Sequence, residues 1–307
     1  MNAESNQSLS RRDALRLIAG STAVMMCSQR MDASANPITR PIPRSGEPLP
    51  VIGLGTWQTF DAGSSQSARA ALEEVLQTFV ALGGKLIDSS PMYGTSEDVA
   101  GDLTAKLALR DKLFVATKVW TSGKASGVAQ MRESMKKLRV KKLDLMQVHN
   151  LVDADAHLDT LAGWKRDGLV RYIGITHWTA GALSEVMSYM RRYEIDFVQI
   201  NYSIREREAE KALLPLASDR KIAVIANRPF ATGDLFSRTR GKALPELAKE
   251  IECDSWAQLF LKFIVSHPSI TCAIPATSKV THMRDNMKAG FGRLPDQKLR
   301  ERIAASV

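Results

Sequence analysis

Four side chains of this 307-residue chain have the types and spacing to hand a proton to a polarised oxygen: Asp88, Tyr93, Lys118 and His149. Asp88 and Tyr93 share the stretch Asp88-Ser89-Ser90-Pro91-Met92-Tyr93-Gly94-Thr95-Ser96-Glu97, which follows the apolar Lys85-Leu86-Ile87 and opens a helical pattern at Ser96-Glu97-Asp98. A phenol has a reference pKa near ~10, too high for a ready acid at neutrality. A nearby ammonium favours the phenolate and is expected to lower that value. Asp88 paired with Lys118 would keep the ammonium charged and oriented. A neutral His149 would donate a hydrogen bond to a carbonyl oxygen beside the phenol. Together they form a proton-donating site for a carbonyl that becomes an alkoxide. No nucleophile–base pair of the hydrolase kind accompanies them, so a second reactant must come from elsewhere, and a hydride from a cofactor fits. Taken alone, the 88–97 stretch also reads as an ordinary strand–turn–helix with a capped helix.

The elements that would position these groups recur along the chain. Apolar runs at 51–55, 85–89, 113–119, 143–149, 171–177, 197–202, 222–229 and 270–275 alternate with amphipathic segments at 67–82, 96–109, 127–138, 156–167, 180–193, 206–218 and 244–265. Further helices are expected at 281–289 and 296–305. Near-continuous apolar strands between helices imply a parallel sheet covered on both faces. Eight such units in roughly 250 residues make an α/β chain of the (β/α)8 TIM-barrel class. An open doubly wound sheet is the competitor, but no G-x-G-x-x-G follows the first strand, where that fold places its phosphate loop. The polar residues fall at the C-terminal strand ends, where barrel active sites lie. They are Asp88, Thr117-Lys118, Gln147-Val148-His149-Asn150, Thr176-His177-Trp178 and Gln199-Ile200-Asn201-Tyr202.

Composition narrows the function classes. Hydrophobic content of 44% and charged content of 24% suit a soluble globular protein. The +9 charge is spread out and aromatics are only 6%, so a nucleic-acid role is not expected. The basic surface still favours anionic ligands, a phosphorylated cofactor among them.

Residues 1–35 are a different kind of sequence. Arg11-Arg12 precede a short apolar run, 17–26, and Ala33-Ser34-Ala35 follows as a small-x-small cleavage pattern. This resembles a twin-arginine export signal, with 36–307 as the mature barrel domain. The expectation is a periplasmic or otherwise exported protein that uses the twin-arginine machinery, with a cytoplasmic location as the alternative. The run is too short to span a bilayer, so no stable membrane anchor is expected. Cys27 makes lipidation a minor alternative. Cys253 and Cys272 do not make a disulfide framework, and no histidine or cysteine spacing reads as a metal site. Cys272 is expected to be a small buried strand residue.

Across residues 50–290 the chain resembles the aldo-keto reductase family. The resemblance is carried by Gly53-Leu54-Gly55-Thr56-Trp57, by Ile87-Asp88-Ser89-Ser90-Pro91-Met92-Tyr93-Gly94, by Ala116-Thr117-Lys118 and by Gln147-Val148-His149. It implies Tyr93 as general acid, Lys118 and Asp88 tuning it, and His149 orienting the carbonyl of a small-molecule aldehyde or ketone. It also implies NADP(H), with Gly55, Thr56 and Trp57 on the cofactor side. Thr176-His177 stand where the family has a Ser-Asn pair that, with Gln199, holds the nicotinamide carboxamide. Asn227 stands where many relatives stack an aromatic under the nicotinamide, and Arg228 is read as compensating by reaching the pyrophosphate. The segment 274–286 resembles the adenosine-phosphate clamp, with Thr277, Ser278, Lys279, His282 and Asn286 favouring NADP(H) over NAD(H).

Trp57, Trp120 and Trp178 are substrate-lining candidates, with barrel–helix packing as the alternative. No long C-terminal loop to narrow the pocket is expected, and the protein is expected to act as a monomer. Two other functions stay open: an exported nucleotide-binding accessory or regulatory subunit with little turnover, and an isomerase or lyase on the same scaffold.

Overall fold

The apolar runs become strands because each is buried on both faces. The computed structural model describes residues 36–307, and the expected export signal at 1–35 lies outside the described residues. Eight parallel strands pair in chain order: β3 (Leu54–Gly55), β4 (Leu86–Asp88), β5 (Phe114–Val119), β6 (Leu143–His149), β7 (Val170–His177), β8 (Phe197–Asn201), β9 (Ala223–Asn227) and β10 (Cys272–Ala273). Parallel bridges Ile52–Ala273 and Gly55–Ala276 join the two edges, so the sheet closes into a (β/α)8 barrel. The Gly53 and Ala273 N–H groups each donate across that seam at 2.8 Å, to the Ala273 and Val51 carbonyls. Gly55 is required there: a Cβ would stand 2.9 Å from the Ile274 carbonyl oxygen.

The two-residue side-chain period sorts the strands into inside and outside. Leu86, Phe114, Leu145, Tyr172, Phe197 and Cys272 fill the barrel interior, while Ile87, Val115, Met146 and Val148 pack against the helices. One step toward the C-terminal ends, the inward residues turn polar, as Asp88, Lys118, Gln147 and Gln199. Cys272 is buried and unpaired, and burial pushes its thiol up in pKa.

The helices are α1 (Gln66–Ala81), α2 (Ser96–Lys106), α3 (Lys124–Lys137), α4 (Ala154–Arg166), α5 (Leu183–Arg192), α6 (Leu213–Asp219), α7 (Asp234–Thr239), α8 (Trp256–Val265), α9 (Val280–Lys288) and α10 (Gln297–Ala305), and all but α7 fall within or overlap the expected amphipathic segments. Caps fix several starts: Ser65 accepts from Ala68 N–H, Ser255 from Gln258 N–H and Asp296 from Leu299 N–H. None of the described helices is long and apolar enough to cross a membrane.

The structure differs from the expected pattern in several places, the short helix α7 among them, which lies in none of the expected segments. The single helix expected over 244–265 is a 3-10 turn, Glu246–Ile251, then α8. Glu252 takes a left-handed φ of 56° and the Lys262 ammonium donates to the Ile251 carbonyl at 2.6 Å, which ends the first piece. Segments 180–193 and 206–218 likewise begin as 3-10 turns, Ala180–Ala182 and Glu208–Lys211. A further difference is an antiparallel hairpin with no counterpart in the expectation, β1 (Thr39–Pro41) with β2 (Pro48–Pro50). It inserts Ile42 and Leu49 into the interior cluster and seals the N-terminal end of the barrel. The tie is polar as well: Arg171 and the Tyr172 hydroxyl both reach Glu47 of the hairpin. Its prolines hide it from a strand pattern, because proline sits only on edges.

Candidate active site

The four reactive side chains come from three adjacent strands and the loop after the first. Asp88 ends β4, Lys118 lies one residue before the end of β5, and His149 ends β6. Tyr93 stands on the turn between β4 and α2, where its N–H donates to the Ser90 carbonyl at 3.0 Å. The Lys118 ammonium is 2.6 Å from Asp88 Oδ2 and 2.7 Å from the Ser89 carbonyl, and 5.0 Å from the Tyr93 ring centroid. The lysine and aspartate are 1% and 2% exposed. The His149 and Tyr93 rings meet edge to face at 6.0 Å.

Electrostatics give each group one protonation state. Burial alone would lower the Lys118 pKa, yet Asp88 and then Tyr93 offset that and hold it raised, so the ammonium stays charged. Burial is the largest influence on Tyr93 and raises its pKa. Lys118 pulls it down as expected but does not prevail, and Asp88 pushes it further up. The lowered phenol expected from sequence is therefore reversed: Tyr93 is a protonated donor at neutrality. Burial, then Lys118 and His177, bring His149 down to about 3, so its imidazole is neutral.

Ser90 adds a contact that the sequence did not advertise. Its Oγ lies 3.0 Å from His149 Nδ1 and accepts the Met92 N–H at 3.4 Å. A second set of partners surrounds Asp88. Gln147 Nε2 donates to Asp88 Oδ1 at 3.3 Å and to Gln199 Oε1 at 3.0 Å, and Gln199 Nε2 donates to Asp88 Oδ2 at 3.3 Å. The Thr56 hydroxyl, 3.0 Å from the Asp88 carbonyl, ties β3 to β4 beneath the site. Gln147 has the same inward parity as His149, a signal that period-two counting can find. Nothing in the sequence marks Ser90.

All four reactive groups open onto one cleft of about 730 Å³ at the C-terminal face. Of the other nominated residues, Gly55, Thr56, Trp57, Thr176, Trp178, Gln199, Asn227 and Arg228 line it. His177 does not: its Nδ1 accepts the Thr179 N–H at 3.2 Å. Trp120 stands beside the rim, its ring 6.3 Å from that of His149. Thr277, Ser278, Lys279, His282 and Asn286 lie on the connection after β10 and on α9, next to the lining residue Ala276. Of these, Ser278, Lys279 and His282 are exposed, whereas Thr277 and Asn286 are buried. Trp57, Trp120 and Trp178 are 43%, 42% and 49% exposed, so helix packing does not account for them.

Two orphaned polar atoms mark the far wall. Asn227 Oδ1 and Arg228 Nε are buried without a partner, and the Arg228 guanidinium stacks 5.1 Å from the Trp178 ring. Arg228, Ala231 and Thr232 all hold left-handed φ values (48°, 48° and 57°), strain of the kind that collects at ligand sites. A guanidinium with an unpaired donor suits an anionic, phosphate-bearing ligand.

The aldo/keto reductase family matches residues 51–305. The chain belongs to that family. Methylglyoxal reductase YeaE of Escherichia coli (strain K12) is 27% identical to this aldo/keto reductase over 246 residues, 78% of this chain and 84% of that protein. Among solved structures, the thermostable aldo-keto reductase Tm1743 in complex with epalrestat has a TM-score of 0.73 and 25% identity over 87% of this chain and 99% of its own. An aldo/keto reductase from Klebsiella pneumoniae in complex with NADP and acetate has a TM-score of 0.71 and 23% identity over 85% of this chain and 92% of its own.

Proposed function

We propose that this aldo/keto reductase uses NADPH to reduce the carbonyl of a small aldehyde or ketone to an alcohol, with Tyr93 as the proton donor. The observation that carries the reading is the buried Lys118 ammonium, held 2.6 Å from Asp88 and 5.0 Å from the Tyr93 ring at the base of the cleft. The methylglyoxal reductase activity in the name of the Escherichia coli relative, and NADP in the Klebsiella structure, support the same chemistry.

A reduced nicotinamide supplies a hydride to the carbonyl carbon when it is bound. Neutral His149 donates a hydrogen bond to the carbonyl oxygen and holds it beside the phenol. As negative charge develops on that oxygen, Tyr93 transfers its O–H proton and the product leaves as an alcohol. The Lys118 ammonium opposes the charge left on the phenolate, which regains its proton from solvent. Gln199, Thr176 and Asn227 would hold the nicotinamide, Arg228 would reach the pyrophosphate, and Thr277, Ser278, Lys279, His282 and Asn286, beyond the cleft lining, would hold the adenosine phosphate. Trp57 and Trp178, with Trp120 at the rim, bound the substrate opening.

The test is to titrate the purified protein with NADPH and then screen methylglyoxal, other small aldehydes, ketones and sugars for NADPH loss. The expected result is turnover by the parent, and no reduction by Tyr93→Phe with cofactor binding retained. Full activity in that variant sinks the mechanism, and failure of the parent to consume NADPH with any carbonyl sinks the function.

The segment 1–35 is read as a twin-arginine signal that exports a folded monomer. Fusing it to a reporter that is active only outside the cytoplasm tests this: an Arg11→Lys/Arg12→Lys pair should abolish export.

A further inference from the structure

Gln147 lies on β6 with its side chain fully buried, and it does not line the cleft. It sits in the polar layer above the apolar barrel interior, paired in register with Lys118 across the β5–β6 ladder. Its Nε2 is 3.3 Å from Asp88 Oδ1 and 3.0 Å from Gln199 Oε1. Gln199 Nε2 closes the triangle at 3.3 Å on Asp88 Oδ2, the oxygen that the Lys118 ammonium also contacts at 2.6 Å. Gln147 Oε1 has no partner.

The chemistry of the partners fixes the orientation of the amide. Turned over, Gln147 would aim its oxygen at the Asp88 carboxylate and at Gln199 Oε1, three acceptors with no hydrogen among them. With nitrogen inward, both amide hydrogens are used, one on each partner. An uncharged nitrogen with two hydrogens in one plane can bridge these two acceptors without adding a charge beside Lys118. This has a consequence for Gln199. Its Oε1 accepts from Gln147 and one of its N–H bonds goes to Asp88, which turns the amide so that its remaining N–H is left to donate into the cleft it lines.

We propose that Gln147 is a positioning residue that couples the proton-donating site to the cofactor wall. Through Asp88 it fixes the Lys118 ammonium, and through Gln199 it makes the nicotinamide side of the cleft a hydrogen-bond donor. This rests on the carbonyl-reductase reading above, and it predicts that two readouts, turnover and cofactor affinity, depend on one residue that touches neither ligand.

The experiment compares the parent with Gln147→Met and Gln147→Glu in NADPH binding, followed by quenching of tryptophan fluorescence, and in kcat and KM across pH. Met keeps the volume and removes both hydrogen bonds. Hydrogen bonds to charged groups set the expected scale: kcat falls about tenfold to a hundredfold and NADPH binds more weakly, with KM for the carbonyl within about twofold. Glu keeps the shape, and only its protonated form can donate, to one partner at a time. Its activity and NADPH affinity relative to the parent therefore climb as the pH falls, whereas a packing role gives ratios that do not vary with pH.

A Gln147→Met protein with parental kcat and NADPH affinity overturns the proposal, and so does a Gln147→Glu ratio that is flat with pH. Should the Met variant fail to fold, the Glu profile decides alone. A parent that binds NADPH yet reduces no carbonyl defeats the functional reading instead, and the binding titrations of the two variants still decide the role of Gln147.

Discussion

The Ser90 hydroxyl lies 3.0 Å from Nδ1 of His149 and accepts the Met92 backbone N–H, with its own hydrogen available to the imidazole. The neutral His149 that donates to a carbonyl in the cleft carries its proton on Nε2, and a hydroxyl donating to Nδ1 is what selects that tautomer. Ser90→Ala is expected to lower kcat/KM about tenfold, the scale of one lost buried hydrogen bond, with NADPH affinity unchanged. Ser90→Thr keeps the hydroxyl and should recover activity. Nitrogen NMR of the parent should show His149 protonated at Nε2 alone; protonation at Nδ1 would overturn the assignment.

Buried neutral histidines make stability depend on pH. Burial brings His149 to about 3 and His267 to about 4, against 6.5 for the free side chain. Below about pH 6.5 the unfolded chain takes up protons that the folded chain refuses, so stability is complete above that value and is lost as the pH falls toward 4. Thermal melts across this window should show the decline, and His267→Phe should make it shallower. A melting temperature that stays level down to about pH 4 contradicts the linkage.

Breaking the buried pair should cost more than removing it. Asp88→Ala leaves the Lys118 ammonium without its carboxylate at a 1% exposed site, an expected loss of about 3–5 kcal/mol. Asp88→Ala combined with Lys118→Met should be more stable than Asp88→Ala alone. Denaturant melts of the single and double variants measure the difference, and equal stabilities would show that the ammonium escapes to solvent.

The raised Tyr93 pKa sets the alkaline limit of reduction. Because burial outweighs the pull of Lys118, kcat/KM for reduction should stay level up to about pH 10 and fall only above it, as the phenol loses its proton. A limb that begins near neutrality would mean that bound cofactor reverses the balance in favour of Lys118.

Arg228 should matter to the cofactor more than to the substrate. Its unpaired buried Nε and its stacking on Trp178 leave the guanidinium free to meet an anion. Arg228→Ala is expected to weaken NADPH binding about tenfold or more. Parental affinity in that variant would show that Arg228 serves something else.

The barrel was legible in the sequence because strands buried on both faces read as unbroken apolar runs: the run at 143–149 coincides with β6. Asp88, Lys118 and His149 were legible because each breaks such a run at its C-terminal end. The hairpin carrying Ile42 and Leu49 was not, since its prolines and short strands carry no alternation. The direction of the Tyr93 shift was not either. A sequence reveals which charges are near but not how much water is excluded, and here exclusion decided the sign.

The seam between Gly55 and Ala276 has a consequence for how the chain reaches its working state. The four reactive side chains all lie between residues 88 and 149, yet the ring that holds them closes only through the strand at Cys272–Ala273. A ribosome must deliver more than about 200 residues after Gly55 before the first and last strands can meet, and pairings of such sequence separation form slowly. A chain cut short before residue 270 would carry every reactive group and still lack the strand that completes the wall around them.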